Sequence, residues 1–172
     1  MSNTATSKKQ AHIVEYVLYV WQMEDVVRAT QFSDEMIRSM FQGQETPDFE
    51  WLMALSQKMK AEHLEEKGHV SDVLEVQTEL ALLHDLLTGP MEDEVYVSSF
   101  ETAQPVLREF EENKMSTGLR HPTETMLTAL YGWLVLKMKK EEVSLETQAA
   151  LQPIREMANP LARGHVKIYQ GK

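Results

Sequence analysis

Apolar residues return along this chain every three to four positions, the repeat of helices that bury one face. Between residues 9 and 30, Ile13, Val17, Val20 and Val27 fall on one stripe. The spacing recurs in Phe49, Leu52 and Met59, in Val70, Val73, Leu80, Leu83 and Leu87, and in Ala150, Ile154, Met157 and Leu161. Punctuation between the stripes marks helix ends. Ser33 opens a short helix to Phe41, Thr46-Pro47 opens one reaching Lys67, Gly68 breaks it, and Gly89-Pro90 stops the helix that begins near Val70. Later helices are expected over 92–114 with a kink at Pro105, over 123–140 with Thr123 as cap, and from Ser144 toward Ile168 with interruptions at Pro153 and Pro160. Residues 1–8 read as a disordered tail and Ser116 to Pro122 as a loop. The short alternation Glu94-Val95-Tyr96-Val97 has no partner strand. The pattern predicts an all-α fold: a single-domain bundle of about six helices over 9–172, mostly antiparallel neighbours.

Polar residues interrupt these stripes. Glu24 stands where the first helix expects an aliphatic residue, and Arg28 lies one turn on. Gln77 and His84 fall within the apolar face of the fourth helix, Ser56 and His63 on that of the third, and His165 on the last. A buried ionised carboxylate costs several kcal/mol unless it is paired. Glu24 is therefore expected to be buried and bonded to His84, Arg28 or a tyrosine hydroxyl. Tyr16, Tyr19 and Trp21 carry the apolar surface almost round the first helix. Two readings follow. The polar positions fix helix register, as a single polar seam residue can, or Glu24, Gln77, His84, Tyr16, Tyr19, Trp21 and Arg28 line a ligand site.

Composition narrows the chemistry. With 172 residues and 42% hydrophobic side chains the chain supports one core. A net charge of −10 disfavours a nucleic-acid backbone or an anionic membrane as partner. The absence of Cys removes disulfides, thiolate metal sites and thiol nucleophiles. Without a signal-peptide pattern or an apolar span, the expected location is cytoplasmic. A di-metal carboxylate bundle needs two Glu-x-x-His motifs, and Glu66-Lys67-Gly68-His69 is a single copy across a glycine. His-x-x-Glu occurs at His12/Glu15, His63/Glu66 and His121/Glu124; because His12 and Glu15 lie toward the solvated side of their helix and His121 stands beside a loop proline, the recurrence is read as surface residues and not as a ligand motif. His63, His84 and His165 could meet around a metal but have no ligand spacing. There is no phosphate loop, dinucleotide fingerprint or nucleophile elbow. The sequence assigns no catalytic residue, metal ligand or cofactor, and leans away from an enzyme.

One helix has too much apolar surface. Met126, Leu127, Leu130, Tyr131, Trp133, Leu134, Leu136 and Met138 cover nearly every side of the sixth helix, and Thr125, Ala129 and Gly132 form a small-residue edge. A helix apolar all round is central or has a second partner. The expected function is therefore association with a protein partner, first a homodimer. The alternative is a small-molecule or metal site around Glu24 and His84.

Two patches carry a resemblance. Glu15-Tyr16-Val17-Leu18-Tyr19-Val20-Trp21-Gln22-Met23-Glu24-Asp25 and Ala129-Leu130-Tyr131-Gly132-Trp133-Leu134-Val135-Leu136-Lys137, the latter followed by Val143-Ser144 and Thr147, resemble the opening and late helices of an uncharacterised bacterial family classed as a domain of unknown function. The resemblance implies an all-helical bacterial protein over the whole chain and brings no activity, substrate or site residue.

Overall fold

The computed structural model describes residues 2–112 and 120–171. Those residues form eight α-helices and no strand: α1 Thr4–Ala11, α2 Ile13–Ala29, α3 Asp34–Met40, α4 Pro47–Ala61, α5 Ser71–Thr88, α6 Glu94–Glu112, α7 Pro122–Met138 and α8 Leu145–Tyr169. The fold is all-α as the stripes predict, with more helices than the expected six or so. Residues 113–119, which hold the end of the expected fifth helix and most of the expected loop, lie outside the described residues. No described helix is long and apolar enough to cross a membrane.

One additional helix comes from the N-terminus. His12 adopts an extended backbone and its Nδ1 accepts the Glu15 N–H at 3.3 Å, so one expected helix becomes two. Part of the expected tail is α1. Thr4 donates its N–H and its hydroxyl to the Asp48 carboxylate at 2.6 and 2.8 Å, and Ala5 is buried. These long-range ties hold the segment; its own weak apolar pattern gave no sign of them.

Contacts group the chain into two compact units, Met1–Val76 and Gln77–Lys172. The first contains α1 to α4 and the opening of α5. Its core is the α2 stripe of Ile13, Val17, Val20 and Val27 with Phe49, Leu52, Leu55 and Met59 of α4. Ser33 and Thr46 cap α3 and α4 as expected. Helix α4 stops at Ala61, short of Lys67, so His63 leaves the expected seam for an exposed turn with φ +59°.

The second unit contains the rest of α5 with α6, α7 and α8. Tyr96, Ala103 and Leu107 of α6 are buried, as are Ile154, Met157, Ala158, Leu161, Ala162 and His165 of α8. Ala150, expected on the α8 seam, is exposed. Gly164 lets α8 approach α5: a Cβ there would meet Leu87 Cδ1 at 3.2 Å. The prolines at 105, 153 and 160 sit inside continuous helices without ending them. Helix α7 is capped by His121, with Pro122 in the first turn; Thr123, expected as the cap, is buried behind it.

Candidate functional site

In the first unit the polar interruption of α2 is fully enclosed. Glu24 has no exposed surface. One oxygen pairs with His69 Nδ1 at 2.8 Å and the other accepts the Val70 N–H at 2.8 Å. Trp21 stacks on the His69 ring, centroids 4.6 Å apart and planes 13° from parallel. Arg28 donates to the backbone oxygens of Leu64 at 3.1 Å and Gly68 at 2.5 Å, and pairs with Asp25. Glu62 accepts the N–H and hydroxyl of Ser71. Two carboxylates thus sit where α5 presents unpaired N–H groups and the positive end of its dipole. The connection from α4 to α5 is strapped onto α2 by these bonds. Gly68 turns the strap at φ +99°, and a Cβ there would meet Leu64 Cδ2 at 2.9 Å.

The aromatic residues of α2 have partners here too. Burial, then the charges of Asp72 and Glu24, raise the Tyr16 phenol above its ordinary pKa. Burial and then Asp48 do the same for Tyr19, against a hydrogen bond from Thr4. Tyr19 packs on Trp51 at 5.6 Å, while Lys8 and Lys9 of α1 lie over Tyr19 and Tyr16.

In the second unit a different polar cluster surrounds His84, which is buried on α5. Its Nδ1 shares a 2.6 Å hydrogen bond with the hydroxyl of Tyr96, a residue with no exposed surface. Phe100 and His121 meet the ring edge-on at 4.5 and 5.1 Å. Burial, reinforced by His121 and opposed by Asp85, pulls His84 down to about 4, so the ring is neutral at pH 7. Burial, then Asp85, raises Tyr96 far above the ordinary phenol range. His121 uses Nδ1 to accept the Thr123 N–H at 3.2 Å as the α7 cap, with the Thr123 hydroxyl at 2.8 Å from the same nitrogen. Its proton is therefore on Nε2 and is donated to Asp85 at 3.0 Å. One ligand atom from each of His84, Asp85 and His121 lies within 4.8 Å of the others.

A family model described as "Domain of unknown function (DUF4924)" matches residues 2–172. The chain belongs to this family. No curated protein and no solved structure matches it. The DUF4924 family thus places the whole chain among relatives and supplies no chemistry, so the residues themselves carry the functional argument.

Of the seven candidate positions, Glu24, Trp21 and Arg28 come together around the strap, Tyr16 faces Lys9 of α1, and Tyr19 turns toward α1 and α4. His84 lies in the second unit and has Tyr96 as its partner. Glu24 is buried as expected, but His69 and a backbone N–H bond it, in place of the expected His84, Arg28 or tyrosine hydroxyl. Gln77 is half-buried on α5. Among the described residues the group that could hold a metal is His84, Asp85 and His121, and of the three histidines His63, His84 and His165 it contains His84 alone. His165 instead pairs with Glu79 at 3.2 Å and stacks on Tyr169. The sequence reading missed His69, Asp85, Tyr96 and His121. The signal for His121 was present in His121-Pro122-Thr123: proline takes the first helical turn, so the residue before it is the cap and faces the preceding structure. His69 stood out only as the end of the Glu66-x-x-His69 spacing, and nothing local marked it as the partner of Glu24.

Proposed function

We propose that this protein works by associating with other helices, and that its first partner is a second copy of itself. One observation carries this reading. The second half of α7, from Tyr131 to Met138, is made largely of apolar residues, yet not one of them is buried among the described residues. The first half of the same helix buries Thr123, Thr125, Met126, Leu127, Ala129 and Leu130. Leu134, Val135 and Leu136 remain half-exposed, and removing such side chains from water contributes about 25 cal/mol per Å².

A second copy suits this surface. Gly132 is exposed, and among the described residues a Cβ there would meet nothing within 4 Å. In mid-helix, glycine costs about 1 kcal/mol against alanine; a close helix crossing gives it a purpose. Glu124 and Lys140 are equally far from Gly132 along the chain. An antiparallel pair of α7 helices crossing at Gly132 sets each acidic start against the other copy's basic end.

The closed surroundings of Glu24 favour the same reading over a ligand site on α2: its carboxylate has two partners, and Trp21 and Arg28 are committed to the strap. Sedimentation equilibrium at tens of micromolar tests the proposal. A dimer is expected for the native chain, and a monomer of unchanged helicity for Leu136→Glu. A native chain that is monomeric throughout overturns it.

A further inference from the structure

We propose that His84, Asp85 and His121 form a mononuclear site for a transition-metal dication of the zinc, cobalt or nickel class. It is separate from the α7 surface, and neither idea depends on the other. The three side chains come from two places in the fold, neighbouring residues of α5 and the cap of α7, and bring a ligand atom each within 4.8 Å of the others. Bonds of about 2.0–2.2 Å to N and O ligands set tetrahedral donors roughly 3.3–3.6 Å apart. Asp85 and His121 are the more exposed members, with side chains 65% and 26% accessible, and their rotation closes the remaining gap.

The surroundings are those a ligating imidazole needs. Such rings engage their second nitrogen with a protein group, which fixes the tautomer and aims the ring. His84 has Nδ1 on the Tyr96 hydroxyl and His121 has Nδ1 against the Thr123 hydroxyl. Nε2 of each ring is then the metal-binding atom. In the metal-free state the His121 Nε2 proton sits on the Asp85 bond. Binding moves that proton to Nδ1, which gives up the Thr123 N–H cap bond and donates to Thr123 Oγ1 instead, and frees Nε2 and the carboxylate together. No net proton change at His121 is required.

The donor set names the metal class. Two imidazoles and one carboxylate suit borderline dications; magnesium and calcium take all-oxygen shells, and copper(I) prefers sulfur. Three protein ligands leave a fourth position for water, the pattern of an open site. Phe100 against the edge of His84 gives the site an apolar wall.

Cobalt(II) titration of the untagged, chelator-stripped full-length chain tests this, because tetrahedral Co²⁺ with nitrogen ligands absorbs in the visible. One equivalent is expected, displaced by Zn²⁺. Asp85→Asn and His121→Asn should each weaken binding at least about tenfold; asparagine can still cap α7, and circular dichroism should report both variants folded. Tyr96→Phe, which removes the outer partner and leaves every ligand, should cost about 10- to 100-fold. His12→Gln in the first unit should bind as the native chain does. Absence of the visible band at millimolar Co²⁺, or native affinity in folded His121→Asn, overturns the site.

Discussion

Removing the Glu24 carboxylate strikes the one polar group that α2 buries completely. In Glu24→Ala the Val70 N–H, at the start of α5, loses its acceptor while enclosed, and His69 loses its partner beneath Trp21. A hydrogen bond to a charged group contributes about 1.5–3 kcal/mol, and breaking a buried pair from one side costs about 3–5 kcal/mol. The lower part of that range is expected, because His69 retains a route to water with its side chain 34% exposed. A loss of about 3 kcal/mol lowers the folding constant on the order of 150-fold. Urea denaturation at pH 7 measures it. With a slope of about 2 kcal/mol per molar, the midpoint should fall by roughly 1.5 M at unchanged slope. Glu24→Gln supplies a control, since its amide oxygen still accepts the Val70 N–H and should recover about half the loss. Hydrogen exchange should localise the damage to the first amides of α5. A loss below about 1 kcal/mol for the alanine variant, or equal losses for alanine and glutamine, refutes the reasoning.

Gly68→Ala should destabilise by about 1–2 kcal/mol in the same urea assay, because the left-handed turn and the contact with Leu64 both reject a Cβ. Ser56 Oγ is buried with no hydrogen-bond partner among the described residues, so Ser56→Ala should be neutral or stabilising by up to about 1 kcal/mol. His84 predicts acid sensitivity in the metal-free protein. Its folded pKa is about 4 against 6.5 unfolded, so between those values the unfolded chain binds the proton that the folded chain refuses. The contribution of His84 is therefore unchanged above pH 6.5 and falls as pH drops toward 4, by up to about 3 kcal/mol. His84→Gln should flatten that part of a pH–stability curve; an unaltered slope would count against a neutral His84.

How far the sequence reached depends on the range of each interaction. The α2 stripe, the caps at Ser33 and Thr46 and the buried position of Glu24 were legible because they follow from spacing within a few residues. The ends of α1 and α4 were not. The Thr4–Asp48 tie and the strap from Arg28 to Leu64 and Gly68 join residues far apart in sequence, and no local pattern encodes them. The partner of Glu24 was misplaced for the same reason. A wheel shows which face a side chain is on, but not which distant loop will cover it. His84 fell on the correct face, while Tyr96 and His121 reach it only through the packing of α6 and the cap of α7.

The strapped connection between α4 and α5 has a practical consequence for anyone who lengthens or tags this chain. Surface loops ordinarily absorb extra residues at small entropic cost. Residues 62–71 have no such slack, because Glu62, Leu64, Gly68, His69, Val70 and Ser71 are each fastened at a fixed spacing. One inserted residue shifts the register of every fastening downstream of it. The turn at Gln42-Gly43-Gln44 is exposed, and among the described residues nothing lies within 4 Å of a Cβ at Gly43, so it offers a permissive site for an inserted epitope or reporter.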